Sequence, residues 1–427
     1  MPVITRRSFF QGAAYAAAAT RVMGANDRVQ MGIVGLGGRG TAHLHQYLEL
    51  PEARVVALCD VTQAARERAQ GAMEKANAGK AAEYNDMRKL FEDKNVDAVS
   101  TATPNHWHAL TTIWACTAGK DVYVEKPACY NVYEGRRMVE TARKYNRMVQ
   151  VGSQSRSIPH KMKAMQLLQD GVIGKVYMAK GLCYKRRKSI GKTPPEPVPA
   201  GIDWDLFLGP APMRPFTKNR YKYNWHWFWD TGNGDIGNQG VHEMDLARWG
   251  LGGVTWPKSV SATGGKYIYD DDQETPNNLL ASFDYGDKEL VFEVRGILTA
   301  PDGGLPVKAG NTVGDLYLGA DGWMWVDGSG FTVYKSESHE KVMDEKGSDN
   351  PGTGYHMKNF LAACKSRNHS ELHADIEIGV MSADLCHLAN ISYRVGRKLT
   401  LDGAGKFVND EEANKLLTRD YRAPYIV

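Results

Sequence analysis

Residues Val29 to Asp60 read VQMGIVGLGGRGTAHLHQYLELPEARVVALCD, and the fold prediction starts from this segment. It begins with a short apolar run of strand length that ends at Gly35. Gly35, Gly37 and Gly40 then form a G-x-G-x-x-G sequence immediately before a helical pattern. This order of strand, glycine turn and helix is typical of a dinucleotide-binding unit, in which a pyrophosphate binds the free amide groups at the start of the helix.

An acidic residue follows at the position where such units bind a ribose. A second apolar run, Val55 to Leu58, ends at Cys59 and Asp60, and Asp60 falls about twenty residues after the last glycine. A carboxylate at this position accepts hydrogen bonds from ribose hydroxyls, so we predict NAD as the cofactor. Arg39 leaves NADP open as the less favoured alternative, because a guanidinium can bind a 2′-phosphate.

The chain continues as alternating helices and strands up to residue 150. Strands are expected at Ala98–Thr101 and Asp121–Val124, with a helix between them that Asn105 can cap. This succession predicts a doubly wound parallel sheet, whose ligands bind at the carboxyl ends of the strands. We therefore assign residues 26–150 to an NAD-binding Rossmann domain. The residues expected to contact the cofactor are Gly35, Gly37, Gly38, Arg39, Gly40, Asp60, Thr103, Pro104, Asn105, His108, Glu125 and Lys126.

The second part of the chain has a different pattern. From Val260 onward, short strands are separated by turns, and helical patterns follow at His356 to Lys365 and at Ile376 to Arg397. A chain of 427 residues with 42% hydrophobic residues is typical of a soluble globular protein with two domains. We assign residues 151–427 to a second α/β domain that binds substrate and forms oligomers.

The first 25 residues predict a signal for the export of folded proteins. Arg6 and Arg7 form a twin-arginine pair, and an alanine-rich stretch follows from Ala13 to Ala19. That stretch is too short and too weakly apolar to anchor the chain in a bilayer. Removal of the segment lowers the formal net charge from +4 to +1, because three arginines and no acids are lost. We expect a periplasmic or secreted protein with no nucleic-acid partner and no membrane span in its mature form.

Export in the folded state also bears on the cofactor. Free nicotinamide nucleotide is scarce in the periplasm, so we expect the protein to leave the cytoplasm with NAD already bound. An enzyme of this kind must regenerate its cofactor on site. A closed redox cycle, or an oxidation that is reversed within one turnover, satisfies this requirement.

The six cysteines predict neither a zinc site nor a redox motif. Their spacings match no known pattern for either function. Cys59 ends an apolar strand pattern and Cys116 lies in a helical one, so buried thiols are expected. No metal site is predicted.

Several motifs along the chain together resemble one protein family. They are GLGGRG with Asp60, TPNHWH at 103–108, VYVEKP at 122–127, VGSQ at 151–154, WDLFLGP at 204–210 and GVHEMD at 240–245. This set is similar to the Gfo/Idh/MocA oxidoreductases, which include glucose-fructose oxidoreductase and inositol dehydrogenase. The resemblance covers nearly the whole mature chain. It implies an N-terminal Rossmann domain and a C-terminal α/β domain with a large open, mostly antiparallel sheet.

The resemblance also implies an arrangement of the active site and an assembly. One face of the open sheet closes over the nicotinamide, and the other often forms an interface between subunits. We therefore expect a homo-oligomer, either a dimer or a tetramer. The family assigns the lysine of the EKP motif, here Lys126, to the catalytic site.

The residues in these motifs suit the oxidation of an alcohol. Hydride transfer from a sugar carbon needs a base for the hydroxyl proton and a group that polarises the forming carbonyl. Lys126 can polarise the oxygen, and His242 is the candidate base because an imidazole titrates near neutral pH. Asp245, three residues later, can orient His242 or the substrate, or it can pair with Arg248.

The chain departs from the family at one catalytic position. Many dehydrogenases of the family have an aspartate four residues before the histidine, whereas this chain has Asn238. A neutral amide can hydrogen-bond a sugar or Lys126, but it cannot stabilise the ammonium as a carboxylate does. The identity of the substrate therefore cannot be transferred from inositol dehydrogenase.

An aromatic segment, Tyr221 to Asp230, reads YKYNWHWFWD and suits a carbohydrate subsite. Aromatic rings pack against the C–H faces of sugars, and polar side chains bind the hydroxyls. Aromatic packing beneath a loop is the alternative explanation. The candidate substrate residues are Arg156, Tyr184, His226, Trp229 and Asp230.

These features together predict an exported NAD-dependent oxidoreductase that acts on a sugar, a glycoside or a polyol. Oxidation at C3 of a glycoside is one specific case. An NAD-dependent glycosidase, which uses transient oxidation and elimination, is the first alternative. A non-catalytic sensor of sugar or NAD is the second.

Overall fold

The computed structural model of the chain describes residues 28–297, 308, 310–335 and 337–427. The predicted twin-arginine segment lies outside these residues. The described chain forms two sheets, one of six strands and one of nine, each with helices packed against it. The predicted α/β class with a Rossmann sheet followed by a mostly antiparallel sheet is confirmed.

The first domain contains a six-stranded parallel sheet in the order β3-β2-β1-β4-β5-β6. The order changes direction between β1 and β4, which opens a crevice at the carboxyl ends of these strands. Its central strands are buried along their length, as expected where helices cover both faces. The elements are β1 (Val29–Val34), α1 (Gly38–Glu49), β2 (Ala53–Cys59), α2 (Gln63–Lys75), β3 (Ala82–Tyr84), α3 (Met87–Glu92), β4 (Ala98–Thr101), α4 (Asn105–Thr117), β5 (Asp121–Val124), α5 (Val132–Lys144) and β6 (Val149–Val151).

The second domain contains a nine-stranded mixed sheet in the order β14-β13-β12-β11-β7-β10-β9-β8-β15. Only β7 and β10 pair in parallel among the described strands of this sheet. The strands are β7 (Val176–Tyr184), β8 (Ser259–Gly265), β9 (Asn278–Asp284), β10 (Glu289–Arg295), β11 (Thr312–Gly319), β12 (Gly322–Asp327), β13 (Gly330–Lys335), β14 (Glu340–Lys346) and β15 (Leu399–Thr400). The helices are α6 (Pro159–Gln169), α7 (Trp204–Leu208), α8 (Gly234–Asn238), α9 (Gly240–Gly250), α10 (Gly352–Ser366), α11 (Ile376–Val395) and α12 (Glu411–Lys415).

Side chains in this second sheet alternate between two environments. In β9 and β10, buried positions alternate with partly exposed ones, which is the pattern of a sheet that packs helices on one face only. Helices α6, α9 and α11 contribute to the large hydrophobic core on the covered face. In β9 and β10, the side chains on the opposite face are therefore partly exposed.

Two helices connect the domains. Helix α10 packs on the first sheet, where Met357 and Phe360 join its hydrophobic core. Helix α11 packs against α5 and β6 of the first domain and also against α9 and β8 of the second. Among the described residues, no helix is both long and apolar enough to cross a bilayer.

Candidate active site

A cleft of about 710 Å³ lies between the two domains at the carboxyl ends of the parallel strands. The glycine turn and Asp60 form one wall, and the loop after β4 forms the next. The aromatic segment of the second domain, from Tyr221 to His226, closes the cleft from the other side. A volume of this kind, lined by both domains, is typical of a cofactor site.

The glycine turn fits a pyrophosphate. Gly35 has a φ of +80°, and a Cβ there would lie 2.9 Å from the backbone of Ala102. A Cβ at Gly40 would lie 1.6 Å from the carbonyl oxygen of Gly35, so only glycine allows α1 to approach β1 this closely. Beside Gly37 and Gly38, by contrast, the space is open to at least 4 Å. The turn therefore leaves room for phosphate oxygens at the start of α1, as NAD requires.

Asp60 is placed to bind a ribose. It lines the cleft, and its Oδ2 accepts a hydrogen bond of 2.6 Å from the Leu36 amide while Oδ1 accepts one of 2.7 Å from the Thr62 amide. Each carboxylate oxygen has a second acceptor position left. Burial raises the pKa of Asp60, although these two amide hydrogen bonds oppose the shift.

Glu125, which precedes Lys126 in the EKP motif, is the centre of a buried polar cluster. Its Oε1 lies 2.8 Å from Arg39 Nε, 3.0 Å from His43 Nε2 and 3.0 Å from Gln154 Nε2. Burial alone raises the pKa of Glu125, but the charge of Arg39 and the hydrogen bond from His43 outweigh it and hold the pKa well below its ordinary value. Arg39 is thus already paired with a carboxylate, which favours NAD over a cofactor with a 2′-phosphate.

Lys126 contacts the second domain directly. Its Nζ donates a hydrogen bond of 2.9 Å to the backbone oxygen of Asn238, and both residues line the cleft. Burial lowers the pKa of Lys126, and the charge of Glu125 opposes that shift. Since Asn238 binds Lys126 through its backbone, its side-chain amide is free to bond elsewhere, and its Nδ2 lies 2.9 Å from the hydroxyl of Tyr223.

His242 lies one helical turn after Asn238, whose backbone oxygen accepts the hydrogen bond from Lys126. Its ring is half-buried and has no hydrogen-bond partner among the described residues. Burial lowers its pKa to about 3, with the positive charge of Lys126 as the next cause. His242 is therefore a neutral base with a free nitrogen at physiological pH. The side chain of His242 is not among those that line the cleft, whereas Lys126 and Asn238 are.

Asp245 and Arg156 form a buried ion pair with each other. Arg156 Nε and Nη2 donate hydrogen bonds of 2.7 and 2.9 Å to the two oxygens of Asp245, and Ser382 Oγ donates one of 2.6 Å. Neither residue lines the cleft. Asp245 thus pairs with Arg156 and not with Arg248, whose Nε donates to Ser382 Oγ at 3.1 Å. The pair fastens α9 to the turn that follows β6.

Three further candidates for substrate binding do not reach the cleft. Tyr184 lies on the face of β7 opposite to Cys183, where it packs with Trp325 and donates a 2.6 Å hydrogen bond to Glu293. Asp230 pairs with Arg214 at 2.7 Å. The ring of Trp229 packs against the guanidinium of Arg394, 5.0 Å from its centre. We therefore correct the expected substrate contacts of these three residues.

His226 is the sequence-predicted substrate residue that does line the cleft. Its ring stacks on Trp225 at 3.6 Å between centroids, and its Nδ1 lies 2.6 Å from the carbonyl oxygen of Tyr223. Tyr221 joins the two domains, because its hydroxyl lies 2.8 Å from Thr62 Oγ1. The many aromatic residues of this segment predicted that it contributes to a binding site. They did not predict which of its rings line the cleft.

The remaining predicted cofactor residues surround the loop after β4. Thr103, Pro104, Asn105 and His108 all line the cleft. Helix α4 has no side-chain cap, so the expected cap by Asn105 is wrong. Asn105 Nδ2 instead donates a hydrogen bond of 2.9 Å to Asn233 Oδ1. The ring of His108 lies between two backbone carbonyl oxygens. Its Nε2 is 2.8 Å from that of Thr103 after β4, and its Nδ1 is 2.7 Å from that of Pro127 after β5.

Two functional neighbours were missed by the sequence analysis. Arg187 and Asp235 form a bidentate ion pair, with distances of 3.0 and 2.7 Å, beside Asn238 and Tyr223. Arg187 Nη1 also donates a hydrogen bond of 3.2 Å to the Tyr223 hydroxyl. Asp235 lies three residues before Asn238 and places a carboxylate near Lys126, although position 238 has none. No motif in the sequence indicated this pair.

A parallel sheet with an open glycine turn, an acidic residue at the ribose position and a second domain that closes the cleft defines a two-domain NAD-binding oxidoreductase. Comparison with known proteins agrees. Residues 29–153 match the family model for the NAD-binding Rossmann fold of an oxidoreductase family, and residues 152–427 match the model of its C-terminal alpha/beta domain. The chain belongs to the Gfo/Idh/MocA oxidoreductase family.

The curated proteins similar to this chain include glycosyl hydrolase family 109 proteins and inositol 2-dehydrogenases. A glycosyl hydrolase family 109 protein of Saccharopolyspora erythraea is 33% identical over 162 residues, which are 37% of this chain and 35% of that protein. An inositol 2-dehydrogenase of Salmonella typhimurium is 34% identical over 158 residues, 36% of this chain and 46% of that protein. The matched regions thus span less than half the length of either relative.

A solved structure shares the fold over most of the chain. The WlbA dehydrogenase of Bordetella pertussis, in complex with NADH and UDP-GlcNAcA, superposes with a TM-score of 0.65 over 88% of this chain and 99% of that one. The two sequences are 21% identical. This similarity shows the fold.

Proposed function

We propose that the protein oxidises a hydroxyl group of a sugar, a glycoside or a polyol with NAD as hydride acceptor. The observation that carries this proposal is the hydrogen bond from Lys126 Nζ, at the cofactor cleft, to the backbone oxygen of Asn238, one helical turn before His242. An ammonium that contacts the second domain and an imidazole with a free nitrogen are the two groups that alcohol oxidation needs.

The roles of the two residues follow from their protonation. NAD held at the glycine turn and Asp60 would supply the hydride acceptor for the carbinol carbon. The neutral ring of His242 accepts the hydroxyl proton, and the ammonium of Lys126 stabilises the negative charge that develops on the oxygen. Glu125 contributes to keeping Lys126 charged, because its own carboxylate is held ionised by Arg39 and His43. In the reverse direction, His242 returns the proton to the alkoxide.

The cleft and the relatives support a carbohydrate as substrate. The Trp225–His226 stack presents an aromatic surface that suits the C–H face of a sugar ring. The relatives include an inositol 2-dehydrogenase and a glycosyl hydrolase family 109 protein. We propose oxidation at C3 of a glycoside as the specific case, because a 3-keto group acidifies the neighbouring C–H bond.

The similarity to glycosyl hydrolase family 109 proteins favours one second candidate. In an NAD-dependent glycosidase, transient oxidation permits elimination of the aglycone and addition of water, and re-reduction then restores the cofactor. The base and the oxygen-polarising group required at the oxidised carbon are the same as for the dehydrogenase. The net reaction is hydrolysis.

Incubation of the purified protein with aryl glycosides distinguishes these reactions. A keto sugar in the medium, formed with NADH, indicates dehydrogenation, whereas phenol release without net NADH indicates hydrolysis. We expect Lys126→Met and His242→Gln each to lower kcat/KM at least about 100-fold, with Lys144→Met on the exposed face of α5 as control. Turnover that survives both substitutions would disprove the assigned roles, and the absence of any turnover would favour a sensor.

We further propose that the protein is exported with NAD bound. The twin-arginine sequence at Arg6 and Arg7 and the closure of the cleft by Tyr221 support this proposal. Expression of the full chain with Arg6→Lys and Arg7→Lys should retain it in the cytoplasm. Mass spectrometry of nucleotide released from the exported protein should detect NAD, and exported protein without nucleotide would contradict the proposal.

A further inference from the structure

A second polar cluster lies behind the catalytic lysine and is independent of the cofactor cleft. Cys129 follows the EKP motif, and Asp384 and His387 lie three residues apart on α11. All three side chains are buried, and one potential ligand atom from each lies within 4.8 Å of the others. We propose that Cys129, Asp384 and His387 bind a divalent cation of the zinc class.

The distance between the Cys129 and His387 ligand atoms agrees with tetrahedral coordination. Cys129 Sγ lies 3.6 Å from His387 Nε2. Zinc binds sulfur at about 2.3 Å and imidazole nitrogen at about 2.0–2.1 Å, so two such ligands on a tetrahedral ion lie roughly 3.5 Å apart. A thiolate, an imidazole and a carboxylate form a donor set that suits zinc better than magnesium or calcium.

Asp384 supplies the independent indication of a ligand. Its side chain is 1% exposed, and Oδ1 has no hydrogen-bond partner among the described residues. A buried carboxylate is costly unless it is paired or coordinates a metal. A zinc ion would neutralise the thiolate and the carboxylate together. The competing explanation is a neutral carboxylic acid that has no ligand.

His387 adds a condition to the proposal. Its Nε2 also lies 3.1 Å from the carbonyl oxygen of Cys129, so in the absence of a metal this nitrogen donates a hydrogen bond. A coordinating nitrogen carries no proton. Metal binding therefore replaces this hydrogen bond by a coordinate bond, moves the ring proton to Nδ1 and releases the protons that burial keeps on the Cys129 thiol and the Asp384 carboxyl in the absence of metal.

The position of the cluster defines what the ion would do. Cys129 lies three residues after Lys126, and Asn390 on α11 donates a 2.9 Å hydrogen bond to the backbone of Asn233. A cation held by Cys129 and α11 would fasten the EKP segment to the second domain behind the catalytic lysine. It would act as a structural ion and would not contact the substrate.

Metal content of the full chain tests the proposal without reference to turnover. After expression with zinc and passage over a chelating resin, we expect about one zinc per chain by plasma mass spectrometry. Cys129→Ser and Asp384→Asn should each lower the zinc content at least about 10-fold, since each removes one anionic ligand and nearly keeps the volume. Cys386 is a buried cysteine on α11 that is not part of the proposed site. The variant Cys386→Ser is therefore the control and should retain the metal.

A second measurement on the unmodified chain guards against variants that fail to fold. Cobalt(II) supplied in place of zinc should give a thiolate-to-metal charge-transfer band if Cys129 is a ligand. Wild-type protein that binds no zinc and shows no such band would refute the site. Zinc content that stays the same in Cys129→Ser and Asp384→Asn would refute it as well.

Discussion

His242 differs from an ordinary histidine because of what surrounds its ring. Burial and the charge of Lys126 lower its pKa to about 3, whereas a free histidine titrates near pH 6.5. The ring therefore remains a base throughout the physiological range. In the proposed reaction Lys126 would have two effects, because it would polarise the substrate oxygen and its charge also lowers the pKa of His242.

Titration of His242 by NMR tests this coupling between two residues. In the wild type we expect the imidazole to stay neutral down to about pH 5, because its charged form is desolvated and repelled by Lys126. In Lys126→Met the repulsion is absent, so the pKa of His242 should rise. The exposed substitution Lys144→Met should leave the titration of His242 unchanged. A wild-type pKa near 6.5 that does not respond to Lys126→Met would contradict the arrangement.

At the scale of elements, the aromatic segment joins the second domain to the cofactor domain. It contains one 3-10 helix, Lys222–Trp227, follows another at Lys218–Arg220, and has few backbone hydrogen bonds to either sheet. Side chains therefore hold it over the cleft. The Tyr221 hydroxyl, 2.8 Å from Thr62 Oγ1, is one of its contacts with the cofactor domain and lies beside Asp60.

Loss of this hydroxyl should loosen the cofactor. We expect Tyr221→Phe to speed NAD dissociation about 5- to 10-fold, because a single hydrogen bond contributes roughly 1 kcal/mol. Stopped-flow fluorescence of NADH release measures the rate. Tyr269→Phe, a substitution outside the cleft, serves as the control. Equal release rates in all three proteins would show that the segment does not retain the cofactor.

At the scale of the whole molecule, a buried acidic pair lies between α9 and the second sheet. Glu243 on α9 and Asp315 on β11 are buried, and Glu243 Oε2 and both oxygens of Asp315 lack hydrogen-bond partners among the described residues. Burial raises the pKa of Glu243 to about 8 and that of Asp315 well above its ordinary value. At neutral pH, these groups therefore retain protons in the folded chain that the unfolded chain has lost.

This difference in bound protons makes stability depend on pH. Between the unfolded pKa of glutamate, about 4.3, and the folded value for Glu243, the folded state binds more protons, so the free energy of unfolding falls as pH rises. The contribution of Glu243 is about 1.4 kcal/mol per pH unit. Urea unfolding at pH 5 to 8 should show a flatter pH dependence for Glu243→Gln than for the wild type. The exposed variant Glu74→Gln should keep the wild-type slope, and equal slopes in all three would contradict the prediction.

Local pattern in the sequence determined most of the fold. The glycine turn, Asp60 and the strands at Ala98–Thr101 and Asp121–Val124 were predicted with the observed bounds or close to them. Each depends on neighbouring residues, because strand length, turn geometry and helix periodicity are set by local sterics and hydrophobic spacing. The prediction of NAD as the cofactor came from the same local pattern, the glycine turn with Asp60.

Partnerships between distant side chains were decided only by the tertiary structure. The sequence left Asp245 with several possible partners, and the fold pairs it with Arg156, 89 residues earlier. Tyr184 points away from the cleft because side chains alternate along β7, and the face that a given residue takes depends on how the strand packs. Cys129 meets His387 across 258 positions for the same reason. Local pattern specifies the elements, whereas packing between them determines which polar groups meet.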